Sequence, residues 1–211
     1  MYRYVRVDSD LDRQDWLRTR QNVYLGSGLI TSDDLRDGLY QDAFDARCHH
    51  LLACDQDGEP VGSVRLIVRD GDAAPLHLEG HFAMDIESSS AEISGLTVVP
   101  GHRASEVLTG LFRALYELTR GQAITWLYAV VEPPFLKAIQ RAGFPFEAVT
   151  EQKWIYNTWN FVIRLSLPGF VALANEMAAA GETSPVSTPF AFQTRRPLSA
   201  VPVPSQDFAV G

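Results

Sequence analysis

The sequence predicts an α/β domain in which a mixed central sheet is flanked by helices. Two observations carry that expectation. Short alternating or apolar runs and helical stripes follow one another along the first 180 residues, with turn residues at the joints. Within them, "AITWLYAVV" (123–131) is apolar on both faces, as a central strand is, and stands between two amphipathic stretches.

The elements follow in order. "YRYVRV" (2–7) alternates and suits a short strand. From Asp10, which can cap, Leu11, Trp16, Leu17, Val23 and Tyr24 supply a helical stripe through about Leu25, and "GSG" (26–28) ends it. Ser32 can cap a second short helix, "DDLRDGLYQ". "HHLLACD" (49–55) and "PVGSVRLIV" (60–68) read as strands joined through Asp57-Gly58, a hairpin turn signal. Residues 70–90 read as a loop, and 91–99 of "AEISGLTVVPGHR" as a strand. Glycine at position 95 suits a bulge there. In 104–120, Val107, Leu108, Leu111, Leu115 and Leu118 share a helical face. "PPFLKAIQRAGF" starts a helix at proline and closes it at Gly143. "KWIYNTWNFVIRLSL" (153–167) supplies one or two strands, and "GFVALANEMAAA" a last helix. The segment 181–211 holds five of the twelve prolines without periodicity, so it is expected to be a tail or strap on a 1–180 domain.

Composition narrows the class. With 46% hydrophobic and 21% charged residues, the 211-residue chain can build a core without staples. No run of about 18 apolar residues predicts a membrane span. "MYRYVRVDSD" lacks the apolar stretch of a signal peptide, which makes the cytoplasm the expected location. Were "CHHLLAC" one strand, Cys48 and Cys54 would lie roughly 20 Å apart, so both are read as thiols. A net charge of −8 argues against nucleic acid as a partner. The charge is uneven, however: residues 100–141 carry Arg103, Arg113, Arg120, Lys137 and Arg141 against three glutamates. That patch suits an acidic partner or a solvated helix face.

The order of elements and their joints resemble the GNAT superfamily of N-acyltransferases, over roughly residues 1–167. In that fold the strands here at 91–99 and 123–131 splay apart, and with the helices 104–120 and 133–142 they build the acyl-donor cleft. "RAGF" (141–144) matches the family's Gly-Phe after the last of these. Two departures turn the expectation away from ordinary acetyl transfer. The pyrophosphate loop, Arg/Gln-x-x-Gly-x-Gly/Ala, is "RASEVL" here, and the tyrosine four residues before the Gly is Ile139.

A subset is more similar: the N-acylhomoserine lactone synthases and the N-acyl amino acid synthases, which often use acyl carrier protein. Their polar series corresponds to Arg20 and Tyr24, Asp42 and Asp45, Gly62 with Arg65-Leu66, Phe82, and Glu92 with Ser94. The lactone synthases' tryptophan between the first two pairs is missing, and their arginine after the serine is Gly95. The resemblance implies transfer of a fatty acyl group to the amine of an amino acid or related small molecule. It implies acyl carrier protein or acyl-CoA as co-substrate and no permanently bound cofactor. Glu92 would act as general base, because an amine is mostly protonated at neutral pH. Arg20, Tyr24, Asp42, Asp45, Arg65, Phe82 and Ser94 would form the acceptor side. Leu96, Val98, Arg103, Trp126, Tyr128 and Phe135 would meet the donor.

Read alone, Asp42, Asp45 and Arg65 also fit a surface ion-pair group, Tyr24 and Phe82 core aromatics, and Arg103 a helix-end surface residue. His77 and His81 flank Glu79 in the expected loop, and no metal is assigned to them. Two other functions fit the same residues. One is a lactone-forming signal synthase using S-adenosylmethionine; the other is a silent GNAT-like module that binds a carrier protein.

Overall fold

A computed structural model describes residues 2–69, 74–102, 105–182 and 192–193. Among these, eight strands form one sheet: β1 Arg3–Arg6, β2 His49–Cys54, β3 Pro60–Val68, β4 Ser90–Val98, β5 Trp126–Val131, β6 Glu147–Ala148, β7 Lys153–Ile155 and β8 Thr158–Ser166. Their order is β1-β2-β3-β4-β5-β8-β6, with β7 also on β8. The β4–β5 pair is parallel and every other pair antiparallel. A parallel pair needs a crossover, and helix α2 (Ser105–Thr119) supplies it.

The helices sort to two faces. On one, α2, α3 (Pro133–Arg141) and α4 (Leu167–Ala179) cover the main core, where Val107, Leu111 and Leu115 of the predicted stripe are almost fully buried. Each such side chain contributes about 1.5–3 kcal/mol. On the other face, α1 (Asp10–Ser27) packs Trp16 and Leu17 against Val5, Leu52 and Cys54. Beside it the chain segment before β4 packs Leu76, Leu78 and Phe82 onto Ile67, Tyr128 and Val162.

Several local expectations are corrected. The cap of α1 is Ser9, whose hydroxyl accepts from the Asp12 N–H, and the helix runs on to Ser27. Leu11 is exposed rather than part of the buried stripe. The expected helix after Ser32 is a single 3-10 turn, Ser32–Asp34. Asp37 and Gly38 take φ of 51° and 78°, and Arg36 and Leu39 exchange backbone hydrogen bonds across them. Asp-Gly favours this tight turn over helix, the chemistry recognised at Asp57-Gly58. The strands expected in 153–167 form the β7–β8 hairpin, and α4 begins at Leu167, directly after β8. Within the expected loop 70–90, residues His77–Gly80 form a 3-10 turn.

No helix among the described residues is long and apolar enough to cross a membrane. Cys48 and Cys54 are not joined by a disulfide. Of the C-terminal segment, 183–191 and 194–211 lie outside the described residues. Within it, the Gln193 N–H donates to the Tyr4 carbonyl of β1.

Candidate active site

The sheet opens where β4 and β5 part. Their pairing runs from Ser90–Trp126 to Ile93–Ala129, after which β4 continues to Val98 and β5 to Val131 unpaired with each other. On its other edge β4 carries a bulge: Ser63 pairs Thr97, yet Arg65 pairs Ser94, so β4 has one residue more than β3. Gly95 sits in that bulge with φ of 61°. A Cβ there would lie 3.2 Å from the Trp16 ring and 3.4 Å from Arg20 Cδ. Conformation and space both favour glycine where the resemblance leads one to expect arginine.

A cavity of about 630 Å³ runs through this fork. One end is polar, with Arg20, Tyr24, Asp42, Arg65, Glu92 and Ser94 on its wall. The other lies between α2 and α3 and is apolar, with Leu96, Val98, Leu108, Phe112, Phe135 and Phe146.

The polar end is built on a local motif. Asp42 caps the 3-10 turn Ala43–Ala46, its carboxylate accepting from the Phe44 N–H at 2.9 Å, while Asp45 reaches back to the Asp42 N–H at 3.0 Å. This reciprocal capping explains the Asp-x-x-Asp spacing. Asp45 then accepts from Nη1 and Nη2 of Arg20, at 3.1 and 2.8 Å, and from Nη1 of Arg65 at 2.5 Å. Arg65 also reaches Asp42 at 2.8 Å and the Ser94 hydroxyl at 3.3 Å. Arg20 lies 4.3 Å over the Trp16 ring and 4.9 Å over that of Tyr40. The side chains of Arg20, Asp45 and Arg65 are 1%, 2% and 2% exposed, which removes the reading of a surface ion-pair group. Nε of Arg20 and of Arg65 is buried without a hydrogen-bond partner.

Burial would raise the Asp42 carboxyl, but the Arg65 hydrogen bond and the charges of Arg65 and Arg20 outweigh it and hold the group below its usual value. A depressed carboxylate adds stability that is complete above its unfolded pKa of about 3.9 and lost as pH falls through the lower folded value. Asp42→Asn is therefore expected to flatten the acid limb of stability below about pH 4. Urea unfolding at pH 5 and pH 3 measures the change.

Glu92 stands at the apex of the fork, 1% exposed. Its Oε2 accepts from the Leu78 N–H at 2.9 Å, and His77 Nδ1 stands 3.8 Å from Oε1. Four sequence candidates lie off the cavity wall: Asp45, which stands behind Arg20 and Arg65, and three aromatics. Phe82 is packed in the cluster of Ile67, Leu76 and Leu78. Trp126 and Tyr128 alternate with Leu127 and Ala129 and take the sheet face away from α2 and α3. There Arg164 lies 4.6 Å over the Trp126 ring, and the Tyr128 hydroxyl donates to Glu87. Both faces of β5 are apolar, so composition left its cavity side undetermined. Arg103 lies outside the described residues.

Sequence reasoning also missed wall residues. Leu108 and Ile139 read as plain helix core, and Tyr40, His77 and Tyr156 come from turns without periodicity. A compact cluster of Asp45, Cys48 and His50 lies behind the network. There Asp45 already faces two guanidiniums, burial pushes the Cys48 thiol up to about 12, and His50 Nε2 donates to the Asp45 carbonyl.

The family model of the N-acyl amino acid synthase FeeM matches residues 15–161. No curated protein sequence matches the chain. Among solved structures, FeeM, an N-acyl amino acid synthase from uncultured soil microbes, superposes with a TM-score of 0.65 at 16% identity, over 84% of this chain and 99% of that one. The AHL synthase LasI gives 0.64 at 19% identity, over 79% and 89%. The CoA-dependent acyl-homoserine lactone synthase BjaI, with SAM and isopentyl-CoA, gives 0.61 at 19% identity, over 87% and 92%. The shared architecture is the GNAT-like one, and in this chain the fourth and fifth strands part after Ile93–Ala129.

Proposed function

The chain belongs to the N-acyl amino acid synthase FeeM family, and on that premise we propose that it moves a fatty acyl group from a thioester to the amino group of an amino acid or related small amine. The observation that carries this reading is the single cavity through the β4–β5 fork, charged at one end and apolar at the other. An acyl chain fits the apolar end, and an amino acid the polar one.

The acceptor ammonium faces Glu92 and Asp42, and its carboxylate is drawn to the positive charge of Arg20 and Arg65 on the polar wall. Guanidinium is suited to that task because its donors are planar and paired. Glu92 removes a proton from the ammonium, through Oε1, since the Leu78 N–H holds Oε2. The amine attacks the thioester carbonyl, whose oxyanion meets backbone N–H groups where the strands part. Pantetheine amides extend the open strand edge as an added strand. The thiolate leaves with the second amine proton. The donor is acyl carrier protein or acyl-CoA, of which BjaI with isopentyl-CoA exemplifies the second. A reducing cytoplasm, where Cys48 and Cys54 stay thiols, suits such donors.

Narrowing the apolar end is expected to shorten the preferred acyl chain. Val98→Trp places a larger side chain on its wall and should lower kcat/KM for long-chain donors about tenfold while sparing short ones. A donor series from four to sixteen carbons reads this directly.

Lactone formation from SAM is the second reading, favoured by the likeness to LasI and BjaI and opposed by Gly95. The two separate in one experiment: acyl thioesters are supplied with either pooled amino acids or SAM. We expect acylated amino acids by mass spectrometry and no methylthioadenosine. Methylthioadenosine release would establish the lactone reading instead. Thioester binding without turnover on either acceptor would leave a silent module.

A further inference from the structure

Each turnover at this site must discard one proton. The acceptor enters as an ammonium, loses one proton to become a nucleophile, and gives a second to the departing sulfur. The N–C bond forms as the C–S bond breaks, and the first proton has to leave a carboxylate that is 1% exposed. We infer that His77, Tyr156 and His81 form the exit that carries it from Glu92 to solvent, an inference that rests on Glu92 being the base of the proposed acyl transfer.

The 3-10 turn His77–Gly80 serves both oxygens of Glu92. Its Leu78 N–H holds Oε2 at 2.9 Å, and its His77 ring stands at Oε1, with Nδ1 3.8 Å away. The same Nδ1 lies 3.5 Å from the Tyr156 hydroxyl, which is 2.8 Å from Nε2 of His81. The contacts of His77 are longer than formed hydrogen bonds, as proton-transfer contacts commonly are before substrate arrives. An edge contact from Phe44 at 5.0 Å and the near-parallel Tyr156 ring hold the His77 plane.

Tyr156 occupies its place against its backbone preference. It and Asn157 form the β7–β8 turn with φ of 53° and 59°, a region that bulky residues rarely adopt. The Asn157 amide donates to the Gly28 carbonyl at 3.3 Å, tying this turn to the end of α1. His81 is half-buried and receives Lys153 Nζ on its backbone carbonyl.

Protonation states suit the relay. Burial, and next the neighbouring His77, hold the His81 imidazole below its ordinary value, so it is a neutral acceptor at neutral pH. Burial pushes the Tyr156 phenol well up, so it stays protonated and passes a proton by giving one as it takes one. The charged groups around the chain of transfer are Glu92, Asp42 and Arg65 on the cavity side and Lys153 from β7.

The test measures thiol release from dodecanoyl-CoA with the twenty amino acids for wild type, His77→Ala, His77→Gln and Tyr156→Phe. We expect both His77 variants to lose about tenfold or more in kcat with donor KM unchanged. Added imidazole should restore much of the His77→Ala loss, and Tyr156→Phe should slow turnover and turn a curved proton inventory linear. Full turnover in His77→Gln and Tyr156→Phe, or a loss carried by KM and untouched by imidazole, would overturn the relay alone. No product from folded wild-type protein with either dodecanoyl-CoA or dodecanoyl acyl carrier protein as donor would overturn the acyl-transfer reading and the relay with it.

Discussion

Asp45→Ala is expected to destabilise the protein by about 3–5 kcal/mol, a drop in Tm of roughly 6–20 °C for a chain of this size. Asp45 is the only carboxylate among the described residues that binds both Arg20 and Arg65, and all three side chains are at most 2% exposed. Without it two guanidiniums remain buried, with only the Tyr40 carbonyl, Asp42 and the Ser94 hydroxyl to meet them. Its carboxylate also holds the Asp42 N–H, so the turn that carries Asp42 loosens too. Asp42→Ala should cost clearly less, because that side chain is 23% exposed and Arg65 keeps Asp45. Replacing Arg20, Asp45 and Arg65 together with Met, Leu and Met should recover stability while leaving the acceptor end unable to bind an amino acid. Thermal melts of the three proteins check the order.

Glu92→Gln should lower kcat by about 10²- to 10³-fold with little change in donor binding. Glutamine keeps an oxygen to accept from the Leu78 N–H, so the fold around β4 survives and the loss reports proton removal. Steady-state kinetics with donor and acceptor varied separately measure it, and unchanged turnover would take the base role away from Glu92.

The parts of this account legible in the sequence are those with strong local chemistry. Pro133 at a helix start, the apolar stripe of 104–120 and the unbroken apolar run into β5 marked the fork-building elements. Gly95 pointed to a bulge because a strand interior otherwise wants a side chain. The spacing of Asp42 and Asp45 was visible, but not that it doubles as a capping box around two buried arginines. Period-two alternation could not say which face of β5 meets the cavity, since both are apolar, and Trp126 and Tyr128 pack on the face away from α2 and α3. His77 and Tyr156 stayed hidden for a different reason. They come from turns 79 residues apart, and only the pairing of β7 with β8 and the packing of the pre-β4 segment bring them together.

The central claim is that the fork holds a thioester and an amine at once and joins them. Supplying 1-¹³C-labelled acyl thioester and ¹⁵N-labelled amino acids to the purified protein tests it in one mass spectrum. The account predicts an amide that carries both labels, with Glu92→Gln forming it far more slowly. Labelled free fatty acid alone, or intact thioester after prolonged incubation with folded protein, would contradict it.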